Sequence, residues 1–274
     1  MREHTRNVEQ KARQVAADPG VEKLARLGLV SKGIVYSIVG FLAAQTAFGA
    51  GGRTTDTAGA LEMIVTQPFG KFLLVLVAVG FLGYMLWRFI EAFLNPENDG
   101  IFGRLGSFIS GVIYASLAFT AARLVLGSGG NTSGNATQDW TARFLAQPFG
   151  QWLVGIAGAL IIGMGFYEIY KAYKAKFREY LNWQQMDQKE RTWATRLGRL
   201  GYAARGVVFI VIGFFLIQAA RFSNPNQAKG FGGALAALAE QPYGPWVLGL
   251  VAIGLLAYGI YTFVEAKYRR IRTA

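Results

Sequence analysis

Stretches without a charged residue alternate along this chain with short polar, mostly basic segments. They fall at 33–52, 72–87, 105–122, 144–167, 206–220 and 241–264. With its flanks, each reaches the roughly 20 residues a helix needs to cross a hydrocarbon core. The shorter ones extend past Lys or Arg side chains that snorkel outward at their ends. The pattern predicts helices over 29–48, 70–93, 106–126, 149–172, 202–221 and 244–266. A helix suits lipid because it satisfies its own backbone hydrogen bonds.

The polar positions repeat. Arg-Leu-Gly occurs at Arg26-Leu27-Gly28, Arg104-Leu105-Gly106 and Arg199-Leu200-Gly201, and five residues after each glycine comes another, at Gly33, Gly111 and Gly206. An aromatic follows at Tyr36, Tyr114 and Phe209. A second motif then appears 39 to 41 residues beyond the first glycine: Gln67-Pro68-Phe69-Gly70, Gln147-Pro148-Phe149-Gly150 and Gln241-Pro242-Tyr243-Gly244. Self-similarity at a fixed period marks a duplicated unit. The chain therefore reads as an all-α, integral membrane six-helix bundle made of three tandem two-helix hairpins.

An even number of spans per copy gives every copy the same orientation, which implies a pseudo-threefold axis along the membrane normal. The boundaries are an N-terminal segment at 1–22, repeat 1 at 23–96, repeat 2 at 97–180, a linker at 181–195 and repeat 3 at 196–274. Each motif proline, Pro68, Pro148 and Pro242, is placed in the first turn of its helix, where no hydrogen bond is lost. Short apolar patches precede them: Leu61, Ile64 and Val65; Trp140, Phe144 and Leu145; Leu235 and Leu238. These are either flat interfacial helices or loops packed on the bundle.

Composition agrees with membrane helices: 53% of the 274 residues are hydrophobic and 16% charged, with 35 glycines, where soluble domains carry about a quarter charged. The net charge of +12 would suit a nucleic-acid binder, but the basic residues gather between apolar runs, so no nucleic acid is implied. One side of the expected topology holds Arg53, Lys71, Arg143, Arg221 and Lys229, Arg123 lies within the third helix, and the other 22 of 28 basic residues face the opposite side. The positive-inside rule then places both termini in the cytoplasm. Residues 1–25 hold no apolar run of signal-peptide type, so the first span is expected to direct insertion. The outer loop at 127–135 carries sequons at Asn131 and Asn135, which matter only in a glycosylating compartment.

The repeated R-L-G-x-x-x-x-G opening one helix, followed by Q-P-[FY]-G opening the next, resembles the family called domain of unknown function 1206. The resemblance covers about 24–94, 102–174 and 197–268. It implies a bacterial inner-membrane protein and brings no reaction with it. The second copy departs most, with Ser110 where the others have Lys32 and Arg205.

Ionisable groups at membrane depth are functional candidates with a partner to be named. Comparing copies, Lys32, Ser110 and Arg205 are equivalent, as are Glu91, Lys171 and Glu265. Base and acid occur together in copies one and three and are lost together in copy two. Lys32–Glu91 and Arg205–Glu265 are therefore candidate ion pairs; the other reading is a snorkelling charge at each position. Gly80, Tyr84, Trp87 and Glu91 share one helical face, repeated as Gly254, Tyr258, Tyr261 and Glu265. That face reads as an aromatic pathway to a carboxylate or as packing against Gly33, Gly40, Gly206 and Gly213. Arg88 and Glu168 are also equivalent. Gln45, Arg123 and Gln218 correspond near the outer helix ends, as a polar ring or, for Arg123, as a snorkelling charge.

No catalytic set is legible. The chain has no cysteine and one histidine, His4, in a polar tail, so thiolate sites, a His–x₃–His zinc pair and Ser–His or Cys–His pairs are unavailable. No cofactor and no enzymatic activity are expected. Two functions remain: a non-catalytic scaffold binding an unknown protein or membrane lipid, and a channel or carrier for a small solute or ion along the pseudo-threefold axis. The scaffold draws on the basic 171–199 connection, whose Lys171, Lys174, Lys176 and Arg178 suit anionic headgroups, although orientation alone also explains them.

Overall fold

Apolar runs longer than a bilayer core have one way to pair their backbone, and they take it here. In a computed structural model the described residues are 19–50, 54–94, 100–128 and 136–270. His4, Arg53, the sequons at Asn131 and Asn135 and the N-terminal polar segment before Pro19 lie outside them. The described helices are α1 (Pro19–Ala47), α2 (Thr57–Val65), α3 (Gly70–Leu94), α4 (Ile101–Val125), α5 (Ala136–Leu145), α6 (Gly150–Lys174), α7 (Gln188–Arg221), α8 (Phe231–Ala239) and α9 (Gly244–Tyr268). Short 3-10 turns occupy Lys176–Tyr180, Trp183–Gln185 and Pro225–Gln227.

Six of these, α1, α3, α4, α6, α7 and α9, are long and apolar enough to cross a membrane. The six expected spans are present, but three begin earlier than hydropathy indicates. Helix α1 starts at Pro19, α4 at Ile101 and α7 at Gln188, so each Arg-Leu-Gly lies inside a helix and does not open it. Polar residues before the apolar run carry no stop signal. At α7 the start is fixed by a capping box, with Asp187 accepting from the Glu190 N–H at 2.7 Å and Glu190 accepting from the Asp187 N–H at 3.0 Å. Much of the segment expected as a linker is therefore helix.

The three apolar patches are helices, α2, α5 and α8, each ending in the same corner. In Gln-Pro-aromatic-Gly the glycine N–H donates to the glutamine carbonyl: Gly70 to Gln67 at 2.8 Å, Gly150 to Gln147 at 2.9 Å, Gly244 to Gln241 at 2.7 Å. This closes a β-turn with proline at its second position. Pro68, Pro148 and Pro242 thus sit in the turn, two residues before the helix, and not in its first turn. Phe69 and Phe149 take the left-handed conformation, with φ of 60° and 62°. A Cβ at the glycine would collide with carbonyl oxygens at the end of the preceding short helix, Ile64, Phe144 and Ala239.

Two compact units divide the chain. The first holds the described residues within 1–32, 63–129 and 262–274; the second holds those within 33–62 and 130–261. In the first, Gly28 admits Tyr84 and Gly80 admits Ser31, which brings α1 and α3 into backbone contact. In the second, equivalent positions make equivalent contacts between α7 and α9, where a Cβ at Gly201 would lie 2.6 Å from the Tyr258 Cβ.

The glycines one turn along serve a different neighbour. Gly213 faces Gly158, its Cβ position 2.5 Å from that carbonyl, and Gly206 faces Gly165 at 2.7 Å, which runs α6 and α7 antiparallel with their backbones touching. Gly40 meets Ala252 and Leu256, and Gly259 meets the Gly33 carbonyl. The α9–α1 contact is thus built from the same repeat positions as α6–α7. The aromatic face of the even helices packs on Gly28 and Gly201, while Gly33, Gly40, Gly206 and Gly213 meet the even helix of another copy. Many large apolar side chains remain exposed, among them Phe41, Phe72, Val112, Ile113 and Phe166, far more than a soluble surface carries.

Candidate functional site

In the first unit a charged cluster forms where three helices end. Helical spacing puts Trp87, Arg88 and Glu91 on one stretch of α3, and the last turn of α9 sets Glu265 four residues before Arg269. Glu91 accepts from Trp87 Nε1 at 2.6 Å, from Arg88 Nη1, from Ser107 Oγ of α4 at 3.3 Å and from Arg269 Nη2 at 2.9 Å. Arg269 also donates Nη1 to Glu265 Oε1 at 2.6 Å. Glu91, Glu265 and Arg269 are each less than a tenth exposed. Two carboxylates and two guanidiniums balance, which is the condition for burying charge at all.

Lys32 and Arg205, equivalent in the repeat, lie in different units and do the same thing. The Lys32 ammonium is 5.5 Å from the Tyr84 ring centre, and the Arg205 guanidinium is 4.5 Å from that of Tyr258. Arg205 donates to the Tyr258 hydroxyl, stands 3.7 Å from Glu168 and also faces Phe209 and Tyr36. Tyr258 is stacked edge-on by Tyr36 and Tyr202. The base of copies one and three thus goes with a tyrosine, and copy two, with Ser110, has Met164 at that place. The structure gathers Glu91 and Glu265 around Arg269, a residue the sequence reading did not single out. Its spacing of four from Glu265 was the available signal.

The Arg-Leu-Gly arginines act at helix ends. Arg26 donates to three carbonyls that close α9, Ala266 at 2.5 Å, Lys267 at 2.9 Å and Arg269 at 3.3 Å, and holds Glu22 at 2.7 Å. Arg104 donates Nε to the Ala92 carbonyl of α3 at 2.9 Å. Ala266 and Ala92 are the same repeat position. The third equivalent, Ala172, accepts from the Ala175 N–H, and Ala175 turns the chain left-handed with φ 51°. Phe177 then fills the space over Gly198. Arg199 makes no hydrogen bond or ion pair among the described residues and instead lines a cleft of about 490 Å³ with Arg178, Trp183, Arg191 and Arg196.

At the other helix ends, Arg123 donates to the Ser128 carbonyl at 3.1 Å, beyond the end of its own helix. Gln45 and Gln218 are half-buried. Among the described residues no three His, Cys, Asp or Glu side chains converge as metal ligands do.

The chain matches the family described as Domain of Unknown Function (DUF1206) three times, over residues 27–95, 105–175 and 200–269. It is 37% identical over 258 residues to the "Uncharacterized protein YxxB" of Bacillus subtilis (strain 168), covering 92% of this chain and 93% of that protein. No solved structure matches it.

Proposed function

Because the chain belongs to the DUF1206 family and is a multi-pass membrane protein with three tandem repeats, we propose that it is a non-catalytic scaffold of the plasma membrane, binding lipid or a partner protein. The observation that supports this reading is the saturation of Glu91. It takes donors from Trp87, Arg88, Ser107 and Arg269. Charges spent on one another hold helices together and leave little for a passing solute. The inner-membrane orientation, with both termini cytoplasmic, rests on the distribution of Lys and Arg; a reporter fused after Ala274 that is active only outside the cell would overturn it.

One contact favours the conduit instead. Glu168 and Arg205 stand 3.7 Å apart, and buried Glu168 Oε2 and Arg205 Nε make no hydrogen bond among the described residues. Purified full-length protein in liposomes separates the two. The scaffold gives no ion or small-solute flux above protein-free vesicles; flux that disappears in Arg123→Ala or Arg205→Ala establishes the conduit.

A further inference from the structure

The cleft where α6 hands over to α7 is the one place where the repeat's arginine has been released from its structural task. In copies one and two, Arg26 and Arg104 are consumed capping the carbonyls that close α9 and α3. At the end of α6 the left-handed turn at Ala175 and the buried Phe177 ring do that work. Among the described residues neither Arg199 nor Arg196 makes a hydrogen bond or ion pair.

The rest of the cleft is fixed in place. Trp183 Nε1 donates to the Arg178 carbonyl at 2.6 Å, and the Arg178 guanidinium lies 4.3 Å from the Trp183 ring centre. Arg191 donates to the Trp183 carbonyl at 2.6 Å and to Met186 at 3.0 Å. Thr195 spends its proton on the Arg191 carbonyl at 2.7 Å. Four arginines thus line a space of about 490 Å³. Their planar forks match the oxygens of a phosphate.

We propose that this cleft binds the phosphate headgroup of an anionic phospholipid. The surroundings identify a lipid as the source. Exposed Tyr170, Tyr173 and Trp193 flank the region, with Lys174 over the Tyr173 ring and Lys176 over that of Tyr170. Amphipathic aromatics and snorkelling lysines mark the headgroup level of a bilayer. From there the exposed apolar flanks of α6 and α7, including Phe166 and Phe214, offer acyl chains a path. This deepens the lipid-binding part of the scaffold reading. Flux in liposomes would remove the scaffold and leave the lipid site standing, so the two fail separately.

The test is native mass spectrometry of the detergent-purified full chain, titrated with phosphatidylglycerol or phosphatidylcholine. Wild-type protein retains phosphatidylglycerol at least tenfold more tightly than phosphatidylcholine, and R196Q/R199Q loses that preference, because both side chains are exposed and make no bond among the described residues. R123Q, at another helix end, keeps it. Equal affinity for the two lipids, or an unchanged preference in R196Q/R199Q, overturns the site. Displacement of phosphatidylglycerol by equimolar glycerol 3-phosphate also overturns it, since the occupant is then a free phosphate compound.

Discussion

The guanidinium of Arg269 lies 2.9 Å from the carboxylate of Glu91, joining positions 178 residues apart in the chain. The same guanidinium holds Glu265, so one cation serves two buried anions, with Arg88 completing the balance. Arg269→Met leaves the cluster with two carboxylates against Arg88, and breaking a buried pair by removing one partner costs about 3–5 kcal/mol. Glu91→Gln with Arg269→Met leaves one acid and one base. The double variant is therefore expected to recover most of the loss, with a coupling of about 1–3 kcal/mol. Unfolding in detergent across the four-member cycle measures it, and additive losses would show that the two residues do not act together.

That cluster also shows what the sequence exposes and what it conceals. The six spans, the triplication and the short helices before each corner follow from long apolar runs and from motif spacing, both local properties. The starts of α4 and α7 lie before the expected ones because Arg104 interrupts the apolar run that Ile101 and Phe102 begin and because Gln188–Arg199 is mostly polar, yet neither stretch holds anything that stops a helix. Side-chain partners were harder. Partners depend on helix rotation, which hydropathy does not fix. The rotation brings Tyr84 beneath Lys32 and places Arg269, just past the end of α9, against Glu91.

The capping arginines differ in how much they hold. Among the described residues Arg26 binds three carbonyls and Glu22, Arg104 binds one carbonyl, and Arg199 binds none. Arg26 is partly exposed, so its charged hydrogen bonds fall at the lower end of their range. Stability should fall in that order: about 1–3 kcal/mol for Arg26→Ala, about 1 kcal/mol for Arg104→Ala, and within about 0.5 kcal/mol for Arg199→Ala. Denaturant midpoints of the three variants test the ranking. A loss at Arg199 equal to that at Arg26 would mean the arginine itself, and not its carbonyls, matters to the helix.

Two glycines on α6, two residues apart, should respond in opposite ways. A Cβ at Gly165 would lie 2.7 Å from the Gly206 carbonyl, whereas one at Gly163 meets nothing within 4 Å. Gly165→Val forces α6 from α7 and costs about 1–3 kcal/mol or more, as overpacking does. Gly163→Val adds an apolar side chain to an open face at little cost. Thermal unfolding of the two variants in one detergent gives the comparison, and similar midpoints would contradict the close backbone contact.

Asp56 gives a pH dependence whose sign can be worked out. It caps α2 by accepting from the Gly59 N–H at 2.8 Å. Burial pushes its carboxyl above the usual value of 3.8, with Glu62 adding repulsion, against backbone hydrogen bonds from Gly59 and Ala58 that pull it down. A raised folded-state value means that the folded protein holds its proton more tightly than the unfolded chain. The contribution to stability is full below pH 3.8 and is lost as pH rises through the higher folded value. Asp56→Asn keeps a cap of similar strength without a charge to bury. Its stability should match the wild type at low pH and exceed it at neutral pH, while Asp56→Ala falls below Asp56→Asn by about 1 kcal/mol at every pH. Denaturation of the three proteins between pH 3 and 7 decides the matter; a wild type that gained on Asp56→Asn as pH rose would show that the backbone hydrogen bonds outweigh burial.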